Sequence, residues 1–420
     1  MPPEPISDVI VIGAGAAGLW AAEVAGRGGA SVLVLEKMPR TGTKVLASGG
    51  TKCNLTTTLS GPDAAALFGR AGGRFLRTAF RVLSPEDVRT RFESWGVPTV
   101  TSQWEKVFPK TGKAVHVRDA LEQAARAAGA EIRLGTGVEA LVSEQSGWRV
   151  VVSGGREYRA RKVILCPGGK SYPSTGTTGD GYPWLAAIGC EMVPTVPALV
   201  PLTSPEQRVR ELTGIAVPDA KVRLLGANGK PVGLVRRRPV LFTHHGVSGP
   251  APMDLSEPVA REPGSKFRLE VDLLPDASRE GLRQQLLDGA RAPGAPRVSQ
   301  VVRELAGLPR RLMLLVCAEA GLDREPRATE LGKSDRHRFV EAVKACEIAI
   351  DGTLGFGKAE VTAGGLALGE VDRGSMAVKR APGLYACGEI LDLTGPIGGL
   401  NFQAAFATAE LAGRAVAEGL

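Results

Sequence analysis

The run Gly13-Ala14-Gly15-Ala16-Ala17-Gly18 places glycine at its first, third and sixth positions, directly after the apolar stretch Val9-Ile10-Val11-Ile12. Between a buried strand and a helix, that spacing has a mechanical meaning. Gly13 permits a tight turn, Gly15 lets backbone approach a pyrophosphate, and Gly18 lets helix and strand pack closely. The helix opening at Ala16 and Ala17 then offers free N–H groups and the positive end of its dipole to the anion. Glu36 closes the next strand, where a carboxylate accepts the hydroxyls of an adenosine ribose, and an acid there favours an unphosphorylated ribose. The motif predicts FAD or NAD over NADP without separating the first two.

The far end of the chain separates them. Leu384-Tyr385-Ala386-Cys387 runs into Gly388-Glu389-Ile390-Leu391-Asp392, then Gly395, Gly398, Gly399, Asn401 and Phe402. A flavin has a second contact surface that NAD lacks. Its ribityl chain needs an acceptor, which Asp392 or Glu389 can supply. Its N1/C2 end gains negative charge on reduction, which the N-terminal dipole of a helix starting near Gly399-Leu400-Asn401 would stabilise. An ordinary strand, turn and helix is the competing reading.

These residues need positioning elements, and the pattern supplies them. Asp8 to Glu36 reads as strand, helix (about 16 to 26) and strand (31 to 35), close to the roughly 30 residues of a βαβ unit. Residues 41 to 57 form a Gly/Ser/Thr-rich loop without periodicity. Helical patterns cover about 74 to 94 and 114 to 128. Short strands follow near 131 to 134, 138 to 142, 148 to 152 and 163 to 166. Prolines at 194, 197, 201, 205 and 218 mark a domain onset. Strands near 221 to 225 and 232 to 242 come next, then helices from about 278 to 319, broken near Pro293-Gly294 and Pro296. Glycine-rich sequence returns at about 352, and the final helix runs from about 401 to 418. The fold class is α/β, a Rossmann-type domain of two segments, 1–193 and 352–420, around an inserted β-rich and helical domain, 194–351.

Composition excludes several classes. Of 420 residues, 43% are hydrophobic and 23% charged, with 54 Gly, which suits a globular α/β protein rather than a disordered or collagenous one. The six cysteines show neither Cys-x-x-Cys nor metal-ligand spacing, so a disulfide framework and a metal site are not expected. Residues 9 to 12 are too short for a signal core, and no run approaches the roughly 18 apolar residues of a membrane helix. A cytoplasmic protein without membrane contact is expected. The net charge of +8 is partly local: residues 70 to 118 hold ten Lys/Arg against four Asp/Glu. That stretch reads either as a solvated helix face or as a track for nucleic acid.

Taken together, the motifs resemble the BaiN/RdsA family of NAD(P)/FAD-dependent oxidoreductases, the YhiN-type flavoproteins, over essentially the whole chain. The carriers are Gly13 to Gly18, Lys44 to Thr56, Val107-Phe108-Pro109, Gly168 to Tyr182, Phe242 to Pro250, Val361 to Gly365, and Gly388 to Asn401. Two departures mark a divergent subgroup. Thr51-Lys52 stands where the family has Gly-Arg, so the charge is kept without the bidentate fork, and Leu400 stands where it has Tyr. The resemblance implies the two-dinucleotide-binding-motif flavoprotein fold. It implies FAD as cofactor, held in addition by Lys37, Lys44, Ser48, Gly49, Gly50, Asn54, Gly168 and Gly169. It also implies reduction either of a uridine in large-subunit ribosomal RNA to dihydrouridine or of small enone-like molecules.

Within this framework two residues are candidates for proton transfer. Cys53 lies in a loop that should pass near the flavin, where a thiol can protonate the carbon next to one that receives hydride; it reads equally as a small buried residue. His244, in the inserted domain, matches the family motif and could orient substrate or move protons; a structural histidine is the plainer reading. Lys170, Ser171 and Tyr172 would lie close to the cofactor. Gly246 to Pro250 is no nucleophile elbow, because Pro250 takes the place of the last required glycine. No second strand-flanked Gly-x-Gly-x-x-Gly exists, so NAD(P)H is expected only as a transient electron donor. An FAD-bound, non-catalytic RNA-binding protein is the rival outside enzymes.

Overall fold

The computed structural model describes residues 6–322 and 324–419, apart from the side chains at 304 and 306. It divides into two compact units: residues through Pro197 together with those from Ala359 onward, and Ala198–Lys358.

In the first unit, strand β1 (Ser7–Ile12) is followed by helix α1 (Ala16–Arg27) and strand β2 (Val32–Leu35). Val9 to Ile12 are all buried, as a central parallel strand covered on both faces must be. β1 runs parallel to β2 on one side and to Glu157–Leu165 on the other. β2 continues outward to Glu131–Arg133. Glu157–Leu165 serves two partners along one strand. Its first half pairs antiparallel with Gly147–Val152, and its last three residues pair in parallel with Leu384–Ala386. The C-terminal segment thus returns to the sheet that the N-terminus began. The register sets Ile12 beside Leu35 and Leu165, and Leu165 beside Ala386. Gly13, Glu36, Cys166 and Cys387 therefore all open loops at the carboxyl edge of one sheet, where α/β folds bind ligands.

Helix α1 packs against the final helix, Leu400–Glu418, and the contact is close: a Cβ on Gly413 would lie 2.7 Å from the Val24 Cβ. Trp20 stacks near Phe406, ring centroids 4.8 Å apart, and its indole N–H donates to Glu410 at 2.8 Å. Arg91 reaches in between the buried Glu23 (3.2 Å) and Glu410 (3.8 Å) while lying over the Trp20 ring. Burial, and after it the neighbouring Glu410 charge, push the Glu23 carboxyl up against the pull of Arg91 and Arg27.

The helical pattern expected over 74 to 94 is two helices, Gly69–Val82 and Pro85–Ser94. Ser84 breaks it: its side chain and that of Asp87 cap each other's backbone, and Pro85 cannot donate into a preceding turn. The 41 to 57 stretch, expected to be irregular, contains a short helix, Thr43–Ala47, and a turn at Ser48–Thr51. Met192–Ala198 pairs with Val361–Leu366, which keeps the first residues of the proline-rich run in the first unit.

The second unit is built on a seven-stranded antiparallel sheet. Its order is Cys346–Ile350, Phe267–Asp272, Ala216–Leu225, Pro231–Thr243, Gly246–Ser248, Leu202–Thr203 and Gly352–Thr353. Val222, Leu269 and Ile348 of the sheet share a core with Leu282, Leu312, Val316 and Phe339 of the helices. The expected helical run of 278 to 319 appears as Arg279–Arg291, Val298–Ala306 and Arg310–Glu319. Beyond the sequence reading are Phe267–Asp272, Cys346–Ile350 and the Lys333–Lys344 helix.

Candidate functional site

The three glycines after β1 do three different jobs. Gly13 has φ +101°, and a Cβ there would meet the Cys166 carbonyl oxygen at 2.5 Å. At Gly18 it would lie 1.8 Å from the Gly13 oxygen, so no side chain fits between loop and helix. At Gly15 nothing lies within 4 Å, and the backbone (φ −83°, ψ −164°) is open to any residue. Gly15 therefore owes its place to nothing in the protein itself. Helix α1 starts there with no side-chain cap and no acid in its first turn, leaving its first N–H groups and dipole for an outside anion. Glu36 is held at the loop, one carboxylate oxygen accepting from the Ala14 N–H (2.7 Å) and the other from the Met38 N–H (2.8 Å). Each oxygen keeps acceptor capacity for a ribose hydroxyl. Lys37 turns elsewhere, its ammonium donating to Asp180 and Thr178 at 2.5 Å each.

The loop after β2 is tightly wound. Gly49, Gly50, Thr51 and Cys53 all adopt positive φ, and Gly50 has open space where a Cβ would stand. Asn54 braces the loop by accepting the Val107 N–H at 3.2 Å, and the Ser48 hydroxyl donates to the Val45 carbonyl at 2.7 Å. Cys53 points inward with no exposure. Burial pushes its thiol up to about 12, against a hydrogen bond with Ser48. It is a neutral, enclosed thiol.

Lys44 reaches across the sheet edge to Ser171 and Glu389, 2.5 Å from each. Glu389 also accepts from the Ser171 hydroxyl (2.6 Å) and the Thr362 N–H (2.9 Å). The Thr362 hydroxyl accepts from the backbone N–H of Lys170 (2.8 Å) and Ser171 (3.1 Å). Gly169 lies so near this cluster that a Cβ would meet the Thr362 hydroxyl at 2.4 Å, whereas Gly168, at φ +78°, makes the turn before it. Glu389 is thus engaged by several protein donors, and Asp392 accepts the Gly364 N–H at 3.1 Å. Lys170 lies over the Tyr182 ring, 5.6 Å from its centre.

The loop from Gly388 to Gly399 is closed by Asn401, whose amide both donates to the Gly395 carbonyl (2.8 Å) and accepts its N–H (2.9 Å). Gly399 must be glycine: at φ +83° a Cβ would lie 2.1 Å from the Thr56 oxygen. It starts the final helix with no side-chain cap, while Gly398 beside it faces open space. Phe402 stacks on Phe406. Three supports escaped the sequence reading. Gln403, fully buried, accepts from the Thr56 hydroxyl (2.7 Å) and donates to the Leu83 carbonyl (2.8 Å). The hydroxyls of Tyr182 and Thr394 are buried without a hydrogen-bond partner among the described residues. Burial and the Glu389 and Asp392 carboxylates push the Tyr182 phenol up, so it stays a donor. The only signal for Tyr182 and Thr362 was membership in the motifs.

His244 belongs to the second unit. It is exposed with His245 on the turn joining Pro231–Thr243 to Gly246–Ser248, their rings 4.0 Å apart.

The first unit fits a flavin dinucleotide on three observations: the open, uncapped start of α1 at Gly15, the anchored Glu36 carboxylate, and two buried hydroxyls without partners beside the Asp392 loop. No helix among the described residues is long and apolar enough to cross a membrane.

Comparison with known proteins agrees. The model of the HI0933-like protein Rossmann domain matches residues 7–415. The chain is 33% identical over 416 residues to a 3-dehydro-bile acid delta(4,6)-reductase of Clostridium scindens, covering 97% of this chain and 98% of that one. It is 29% identical over 405 residues to the ribosomal RNA dihydrouridine synthase of Escherichia coli K12, with 96% of each covered. Among solved structures, a 3-ketosteroid-delta4-(5alpha)-dehydrogenase from Rhodococcus jostii shares the fold at a TM-score of 0.55 and 18% identity, covering 99% of this chain and 98% of that one. The chain belongs to the HI0933-like Rossmann family of oxidoreductases.

Proposed function

We propose that this chain is an FAD-dependent reductase that adds hydrogen across a conjugated carbon–carbon double bond. The uncapped start of α1 at Gly15, with the Glu36 carboxylate fixed beside it, carries the reading. Gly13 to Gly18 would hold the pyrophosphate and Glu36 the adenosine ribose. Asp392 would accept from the ribityl chain, and the first turn of Leu400–Glu418 would stabilise charge at the N1/C2 end of the ring. Lys44 and Glu389 act one step back, tying the Lys44–Asn54, Gly168–Ser171 and Val361–Leu366 segments into one frame. Ser48, Gly49, Gly50 and Asn54 shape the wall of that frame.

When bound, FAD supplies hydride to the substrate after taking it from a donor, for which a transiently visiting NAD(P)H is the proposed source. The neighbouring carbon then needs a proton. Cys53, enclosed and held neutral, is poorly matched to give it near neutral pH, and is assigned to supporting the loop. His244, which matches the family motif, is the proposed proton carrier on that resemblance. The names of the two relatives describe saturation of a double bond, in a bile acid and in a uracil ring respectively, and both substrates suit the same chemistry.

Anaerobic mixing of the flavin-loaded protein with NADH or NADPH tests the reading. Bleaching of the flavin near 450 nm is expected, followed by recovery on adding an enone or uridine-containing RNA. His244→Ala should leave bleaching unchanged and slow recovery about 10²-fold or more. Equal recovery rates would remove His244 from the chemistry.

A further inference from the structure

We propose that the outer face of the Gly69–Val82 helix is a docking surface for the phosphate backbone of single-stranded RNA. Arg70, Arg74, Arg77 and Arg81 recur at steps of four, three and four residues. At 3.6 residues per turn they form one strip about 17 Å long, with a guanidinium every 5 to 6 Å or so along the axis. All four are exposed, while Phe75, Leu76, Ala79 and Phe80 of the same helix are buried.

The structure sorts the basic stretch into used and unused charges. Arg89 pairs with Glu86, Arg91 with Glu23 and Glu410, and Arg118 with Asp119. The four helix arginines make no hydrogen bond or ion pair among the described residues, and Gly69–Val82 contains no acid. Some exposed arginines elsewhere are matched, as Arg237 is by Asp219 and Asp276. A row of like charges at i, i+4 spacing repels itself by about 0.2–0.5 kcal/mol per pair. A merely solvated face gains nothing from that arrangement; an anion arriving from outside does. The apolar face of the helix is spent on the core, which leaves nothing to insert into a lipid surface.

The location suits a polymeric substrate. A Cβ on Gly72 would lie 3.3 Å from Leu393, and Phe68, just before the helix, comes within 2.6 Å of where a Cβ of Gly395 would stand. The inner face thus rests on the loop between Asp392 and Gly399, so a strand following the arginines passes within about one helix diameter of that loop. Its delivery to a flavin there rests on the reductase reading; the docking itself does not.

Fluorescence anisotropy with a labelled 20-nucleotide oligouridine, titrated with flavin-loaded protein from 50 to 300 mM KCl, tests the surface. Four neutralised phosphates should give a log-log salt slope of at least about −2.8 in magnitude, at about 0.7 per contact. Arg74→Gln/Arg77→Gln/Arg81→Gln should flatten it by about 2 and weaken binding at least about 10-fold at 50 mM KCl, with flavin content and melting temperature unchanged. Lys221→Gln/Lys230→Gln/Lys266→Gln removes the same charge from exposed sites of the second unit and should leave the slope intact. Equal slopes for the arginine variant and the parent, equal losses in both triple variants, or no binding at 50 mM KCl would overturn the proposal. So would loss of binding to phosphatidylserine vesicles with RNA binding retained. Flavin bleaching by NAD(P)H and recovery with an enone are read separately, so either idea can fail alone.

Discussion

Gly15 and Gly18 look alike in the motif, yet the structure predicts opposite consequences for alanine at each. At Gly15 the backbone is extended with negative φ, and an added Cβ meets nothing within 4 Å. Gly15→Ala should therefore leave the cofactor-free fold intact, or stabilise it by about 0.4–1 kcal/mol through the less flexible unfolded chain. The methyl group fills the space into which the pyrophosphate would settle. If it displaces two charge-assisted N–H bonds of about 1.5–3 kcal/mol each, FAD affinity falls by about 3–6 kcal/mol, or 10²- to 10⁴-fold. At Gly18 the added Cβ would lie 1.8 Å from the Gly13 oxygen and 3.2 Å from the Cys166 sulfur. Backbone must move, at a cost of about 1–3 kcal/mol or more, and Gly18→Ala should lose both stability and FAD. The assay is urea unfolding of the flavin-free proteins beside FAD titration by fluorescence quenching. Gly15→Ala binding FAD as the parent does, or unfolding as early as Gly18→Ala, would refute the reasoning.

Other perturbations follow from the same contacts. Arg91→Ala removes a cation shared by the buried Glu23 and Glu410, which keep Arg27 and Arg414, and should cost about 1–3 kcal/mol, read as a lower urea midpoint; an unchanged midpoint would show that Arg27 and Arg414 suffice. Cys53 has its folded value raised to about 12 from an ordinary 9.0, so the folded state holds the proton more tightly. Its contribution is complete below pH 9 and is lost as pH rises toward 12, and Cys53→Ala should flatten that alkaline decline. The same thiol should resist iodoacetamide at pH 8 in the folded protein and react on unfolding. Glu389→Gln leaves Lys44 without its charge partner and should lower FAD occupancy after dialysis, with a loss of stability of about 1–3 kcal/mol.

Much of this was legible because it is local. The phosphate loop and Glu36 are set by residues close together in the chain, and spacing suffices to read them; the break at Ser84-Pro85 is just as local, yet the 74 to 94 pattern ran through it. The second half of the site was legible only in outline. Asp392 and Glu389 are equivalent by type, and they separate only because Lys44, Ser171 and Thr362 converge on Glu389 from distant segments. The enclosure of Cys53 depends on a left-handed turn built from Gly49 to Cys53, which no periodicity announces. Lys37 follows the ribose acid in sequence, but its ammonium is drawn to Asp180, 143 residues away. The basic stretch shows the same limit in reverse. Ten charges in sequence could not be ranked until Arg89, Arg91 and Arg118 proved to be paired and four of the other seven, Arg70, Arg74, Arg77 and Arg81, proved to share one helix face.

The most direct test of flavin-dependent reduction is a single anaerobic experiment on the purified protein. Released cofactor is identified as FAD or FMN, the loaded protein is mixed with NADPH or NADH, and the bleached flavin is offered an enone or a uridine-containing RNA. FAD alone, bleaching by at least one nicotinamide, and recovery coupled one-to-one to saturation of a carbon–carbon double bond are the predicted results. FMN in place of FAD, or a bleached flavin that neither substrate reoxidises, would contradict it.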